Sequence, residues 1–182
     1  DMITSKFNQY SVNLIQTTEE MWQLLNTFRK DIFVGLDTET TGLDFRKDVT
    51  VGYCVSGGTD YTPNGYRGYY IPIRHLPCPE TGMDFNLPID EVVKFIQTIM
   101  DNYYTIFWNR NFDFHFFESD GVKITPNQNY HDAQVMRYLS NQKPMPSLKT
   151  TCEELFKWNV IEYSENNAKG NSFATTDPRV SY

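Results

Sequence analysis

Apolar residues along this chain recur at two spacings, and the switches between them mark out its elements. From Tyr10 to Gln16 apolar and polar residues alternate, as they do on a half-buried strand. Thr17-Thr18-Glu19-Glu20 has the form of a capping box, with a Thr side chain meeting a backbone N–H three residues on. It opens a predicted helix to about Arg29, with Met21, Trp22, Leu24, Leu25 and Phe28 on its core stripe. The apolar run Ile32 to Leu36 reads as a buried strand, and Val49 to Ser56 and Gly68 to Ile73 as two more. Turn signals at Gly57 to Asp60 and at Asn64-Gly65 join these strands closely, which suggests an antiparallel meander. Arg74 to Leu87 contains Pro77, Pro79 and Gly82 and predicts a surface loop.

Helical spacing takes over in the second half. Val92, Val93, Phe95, Ile96, Ile99 and Met100 predict a helix from Pro88 to Asp101, with proline at its start. Tyr103 to Trp108 is an apolar run of strand length, and Phe112 to Ser119 turns helical before a stop at Gly121. Asp132 is the expected N-cap of a helix through Leu139, followed by the breaker run Asn141 to Pro146. Ser147 caps another helix, to about Trp158. Helices after strands, on a sheet that begins as a meander, imply a single α/β domain with a mixed central sheet flanked by helices.

Composition narrows the class. At 182 residues, 40% hydrophobic and 21% charged, the chain can bury a core and is globular. No segment approaches the roughly 18 consecutive apolar residues of a membrane span, and no signal-peptide pattern opens the chain. Cys54, Cys78 and Cys152 are odd in number and lack Cys-x-x-Cys spacing, so they read as free thiols. A net charge of −7 argues against a general nucleic-acid coat, whose affinity comes from Lys and Arg. It leaves open an enzyme that meets a strand end through metal ions.

The chemistry concentrates at the end of the Ile32 strand. Asp37 and Glu39 lie two apart, so on a strand they project from the same face. Paired carboxylates repel unless a cation sits between them, and hard oxygen ligands suit Mg²⁺ or Mn²⁺. An exposed acidic strand end with threonine-rich turn chemistry is the alternative. Further on, Asn109-Arg110-Asn111-Phe112-Asp113 follows another strand, and Asp113 falls on the first turn of the next helix. There it either joins the first two acids or complements the helix dipole.

The string Asp37-Thr38-Glu39-Thr40-Thr41-Gly42-Leu43, with Asn109-x-x-Phe112-Asp113, resembles the first two motifs of the DEDD 3′→5′ exonucleases. Within them it is most similar to the proofreading domain of family A, polymerase I-like DNA polymerases of bacteria or phage. His131-Asp132-Ala133-Gln134, Tyr138-Leu139, Ser147-Leu148, Ile161-Glu162-Tyr163 and Lys169-Gly170 continue the likeness, which spans about residues 10–182. The resemblance implies an RNase H-like exonuclease fold. It further implies hydrolysis of the terminal phosphodiester at a single-stranded or frayed DNA 3′ end, releasing nucleoside monophosphates.

Carried over, the resemblance implies that Asp37, Glu39 and Asp113 hold two divalent cations, Mg²⁺ or Mn²⁺. Thr40 would lie near the terminal sugar, Asn109 and Phe112 beside the pocket, and Leu43 and Tyr163 would wedge against bases. Core packing for Leu43 and Phe112 and a surface position for Tyr163 are the alternatives. His75, His115 and His131 are read as structural or solvent-exposed. The implied partners are a DNA 3′ end and a polymerase domain in the same longer chain, in a bacterial or phage-infected cytoplasm, with no membrane. RNA trimming of the ribonuclease D kind, or strand binding without catalysis, are the competing readings. The family completes its site with a Tyr or His shortly before a fourth acid. No acid follows Tyr182, so the expectation is a domain cut short, with little or no turnover from this polypeptide alone.

Overall fold

Six strands form one mixed sheet in the order β1-β4-β3-β2-β5-β6. They are β1 (Ser11–Leu14), β2 (Phe33–Thr40), β3 (Thr50–Gly57), β4 (Arg67–Pro72), β5 (Tyr104–Phe107) and β6 (Tyr130–Asp132). This computed structural model describes residues 11–57, 67–78, 81–126, 129–141, 147–157 and 173–175. β2, β3 and β4 are antiparallel neighbours, as the short connections predict, while β1 on β4, β5 on β2 and β6 on β5 are parallel.

Five α-helices accompany the sheet among the described residues: α1 (Thr18–Gln23), α2 (Ile89–Asn102), α3 (Arg110–Asp120), α4 (Ala133–Asn141) and α5 (Leu148–Phe156). The capping box at α1 is complete. Thr17 accepts from the Glu20 N–H, and the Glu20 carboxylate accepts from the Thr17 N–H. The expected extent to Arg29 is too long. The α-helix gives way to a 3₁₀ turn over Leu24–Asn26, where the Thr27 N–H and hydroxyl both donate to the Leu24 carbonyl. That i→i+3 pattern tightens and ends the helix.

The core lies where α1 and α2 cover one face of the sheet. Val34 and Leu36 of β2, Tyr53 and Val55 of β3, and Tyr69 and Ile71 of β4 meet Met21, Val92, Phe95, Ile96 and Ile99 there. Phe117 of α3 joins it, edge-on to Tyr53 and Phe107. Burying side chains of this size stabilises by roughly 1.5–3 kcal/mol each. A polar seam closes the side of this core. Asp120 accepts from the Tyr53 hydroxyl at 2.5 Å and from Arg74 at 2.6 Å, and Arg74 also donates to the Thr50 carbonyl.

Asp132 caps α4 as expected and is also the last residue of β6, a strand of three residues too short for a period-2 pattern. The structure corrects one further expectation. The predicted surface loop after β4 is anchored inward: His75, Cys78 and Leu87 are buried. The Asn86 amide explains this, accepting from the His75 N–H at 2.7 Å and donating to the His75 carbonyl at 2.8 Å. Backbone groups satisfied in this way can leave water.

Candidate active site

β2 runs on as a strand through both acids to Thr40, so Asp37 and Glu39 sit on sheet backbone. Their shared face includes Cys54, which lies opposite Asp37 in the β2–β3 register. One carboxylate oxygen from each acid and the Cys54 sulfur all lie within 4.8 Å of one another. Along this face Asp37 is exposed and Glu39 half-buried.

The third acid arrives from α3. Asn109 turns the chain at the end of β5 with φ 63 and ψ 56, left-handed backbone that Asn tolerates better than most residues. Its side chain makes no cap; the Asp132 carboxylate accepts from the Arg110 N–H instead. Asp113 follows on the first turn, fully buried, with Oδ1 accepting from the Thr38 N–H and hydroxyl. Its Oδ2 is buried with no N–H or hydroxyl group donating to it, and its carboxylate lies against that of Asp37, where a proton or a cation is needed between the two.

Such crowding has an electrostatic consequence. Burial, then the Asp37 charge, pushes Glu39 up to about 8. Burial and the same charge push Asp113 to about 8 against the opposing pull of Thr38. Burial also raises Asp37, and it raises the Cys54 thiol with the help of the neighbouring acids. Near neutral pH the cluster therefore holds protons that a cation could replace. Two carboxylates on one face, with a third buried one set against Asp37, fit hard divalent ions such as Mg²⁺ or Mn²⁺.

The loop after β2 is built by Asp48. Its carboxylate accepts from the Thr41 hydroxyl and the Asp44 N–H, and the Thr41 hydroxyl accepts from the Val49 N–H. This loop presents Leu43 84% exposed, so core packing does not account for that residue. Thr40 donates to the Gly42 carbonyl at 2.7 Å, and Phe112 is half-buried against Phe116. Tyr163 lies outside the described residues. His75 is buried with Nε2 2.6 Å from the Tyr70 hydroxyl, and His131 packs edge-on to Phe33. His115, exposed, stacks on Phe45 at 4.1 Å between ring centres. The sequence reading missed Cys54, Thr38 and Asp48. Cys54 becomes visible only once the strand register is known, and Thr38 only once α3 is packed.

Comparisons with known proteins agree with this architecture. A family model for 3′-5′ exonuclease matches residues 12–182. DNA polymerase I of Borreliella burgdorferi is 26% identical over 160 residues, which are 88% of this chain and 16% of that protein. Among solved structures, Trypanosoma brucei RNase D in complex with RNA U12 matches with TM-score 0.61 at 13% identity, over 88% of this chain and 52% of that one. Brucella melitensis NrnC with bound Mg²⁺ matches with TM-score 0.52 at 19% identity, over 90% and 68%. At these identities the structural likeness is one of fold, the RNase H-like α/β fold expected from the motifs. Among the described residues, no helix is long and apolar enough to cross a membrane.

Proposed function

Because the chain belongs to the 3′-5′ exonuclease family, we propose that Asp37, Glu39 and Asp113 form the metal-holding part of a nuclease centre acting on DNA 3′ ends. Water adds across the terminal phosphodiester, releasing a nucleoside 5′-monophosphate and leaving a new 3′-hydroxyl. The observation that carries this reading is the pair Asp37 and Glu39 on one strand face with the buried carboxylate of Asp113 set against Asp37, Glu39 and Asp113 both being pushed up to about 8. Two divalent cations held there would supply Lewis acidity toward the attacking and leaving oxygens.

The protein's own residues do the rest. Asp37 and Glu39 are aimed by the sheet, and Thr38 fixes Asp113 against them. Leu43, held out on the Asp48-braced loop, packs against the terminal base without regard to its identity. Thr40 lies toward the terminal sugar, Asn109 and Phe112 shape the pocket beside Asp113, and Tyr163 is a second wedge.

The polymerase I relative favours DNA, and a proofreading role beside a polymerase domain in one longer chain. The RNase D relative, solved with RNA U12, makes RNA trimming the competing reading.

The test uses the intact product of the reading frame on 5′-labelled single strands. Mg²⁺-dependent shortening from the 3′ end, lost in Asp37→Ala, is expected. No shortening, or equal shortening by Asp37→Ala, overturns the proposal. Preference for the RNA strand in a mixture of DNA and RNA of one sequence would assign the site to RNA instead.

A further inference from the structure

Cys54 has a place that the nuclease reading does not use. β3 sets it opposite Asp37, and cross-strand partners on one face of an antiparallel pair have Cβ atoms about 4.5–5.5 Å apart. Its sulfur and an oxygen from each of Asp37 and Glu39 fall within 4.8 Å of one another. Sulfur and oxygen ligands of one tetrahedral zinc-class ion stand about 3.6 Å apart, given bonds near 2.3 and 2.1 Å. Small side-chain rotations would therefore close the set. Cys54 is a free thiol, partly exposed.

A second observation points to a cation at this place. Asp113 is fully buried beside Asp37, and no N–H or hydroxyl group donates to its Oδ2. That oxygen lies beside the three-membered set of Asp37, Glu39 and Cys54 and adds negative charge that a bound cation would offset. Mg²⁺ and Mn²⁺ favour the oxygens alone, whereas borderline-soft ions accept sulfur and oxygen together.

We propose that Cys54, with Asp37 and Glu39, forms a mixed sulfur–oxygen site for a thiophilic divalent cation of the zinc and cadmium class, with the Asp113 carboxylate beside it. On binding, the thiol proton leaves to solvent and the sulfur–metal bond forms. An ion held this way occupies the carboxylates assigned above to hard cations, so Cys54 sets which metals the centre retains. Zinc-class ions then displace Mg²⁺ even when Mg²⁺ is in excess.

Cd²⁺ titration followed by ultraviolet absorption tests this, because a cadmium–thiolate bond has its own charge-transfer band. In the wild type the band is expected to grow and saturate at a single equivalent of Cd²⁺. In Cys54→Ser it is expected to vanish, while Mn²⁺ affinity stays within about threefold, since manganese prefers the carboxylates. A double variant, Cys78→Ala with Cys152→Ala, keeps Cys54 and should keep the band. Absence of the band in the wild type, its persistence in Cys54→Ser or its loss in the double variant overturns the proposal. The double variant decides the matter even if Cys54→Ser fails to fold. The readout needs no turnover, so the two readings fail separately: hydrolysis without the band sinks only the sulfur site, and the band without hydrolysis sinks only the nuclease assignment.

Discussion

Asp113 is tied to Thr38 by two hydrogen bonds into one oxygen, 3.0 Å from the backbone N–H and 2.8 Å from the hydroxyl. Thr38 is the residue between the two acids of β2, so the strand that aims Asp37 and Glu39 also fixes the helix-borne carboxylate. Three acids from two elements thus share one mounting. Replacing Thr38 by Val removes the hydroxyl but keeps the shape, leaving Oδ1 with one donor. The expected cost is about 1–3 kcal/mol by urea unfolding, the range for taking a partner from a buried polar group. Thr38→Ser keeps the donor and loses one methyl, and should cost under about 1 kcal/mol. Equal losses in the two variants would mean that the hydroxyl bond contributes nothing.

Asp113→Asn should separate stability from activity. The amide oxygen can still accept from Thr38, and the amide nitrogen can donate to Asp37 where a repelling carboxylate stood. In chelator at pH 8 this variant should melt above the wild type, because it removes a like-charge contact. Its nuclease rate in the intact protein should fall by about 100-fold or more, the scale on which loss of an electrostatic group at a reacting centre acts. A variant that melts lower and keeps its activity would contradict both arguments.

The raised carboxylates fix the sign of the pH dependence. Glu39 moves from an ordinary 4.5 to about 8, and Asp113 from 3.8 to about 8, so the folded state binds more protons than the unfolded chain between those values. Stability from these two groups is fully present below about pH 4 and declines as pH rises through about 8. Without metal, the melting temperature should therefore fall from pH 6 to pH 8.5 by more than in Glu39→Gln. Added Mg²⁺ should reverse the trend, stabilising most at the higher pH, where it displaces fewer protons. Identical profiles with and without Mg²⁺ would count against metal binding at these acids.

Asn109 offers a test of how the third acid is positioned. At φ 63 it is in left-handed backbone, which costs a side chain with a branched β-carbon about 1–2 kcal/mol. Asn109→Val should lose that much stability by chemical denaturation, whereas Asn109→Gly should change it by less than about 1 kcal/mol. Because Asp113 is one turn further on, the Val variant should also weaken Mn²⁺ binding. Full Mn²⁺ affinity in Asn109→Val would show that Asp113 is held by Thr38 alone.

Much of this centre was legible because it is local. The i, i+2 spacing placed Asp37 and Glu39 on one face, and the strand-to-helix switch placed Asp113 on a first turn; both follow from backbone periodicity. The features that escaped depend on register and packing. Cys54 is 17 positions from Asp37 and meets it only because β2 and β3 pair as they do. Thr38 sits between the two acids of β2, and no sequence pattern says that α3 will bring a carboxylate to its hydroxyl. The buried end of the proline-rich segment depends on one side chain, Asn86, folding back on His75. Helix ends fare worst, since the stop of α1 is set by a threonine hydroxyl and not by apolar spacing.

Gly52 shows how closely the wall of this centre is packed. It faces Glu39 in the β2–β3 register, and a β-carbon there would collide with the ring and hydroxyl of Tyr70. Tyr70 cannot swing aside freely, being fully buried and bonded to His75 at 2.6 Å. Gly52→Ala should therefore cost about 1–3 kcal/mol, the range for forcing an extra carbon into a filled core. Adding Tyr70→Leu removes the obstructing ring, so the glycine substitution should cost less in that background. A coupling of at least about 1 kcal/mol between the two sites in a double-mutant cycle is expected, as for residues in contact. Additive losses would mean that the strand moves and not the ring. Glu39 would then shift with it, and Mn²⁺ affinity should fall in Gly52→Ala whichever residue stands at position 70.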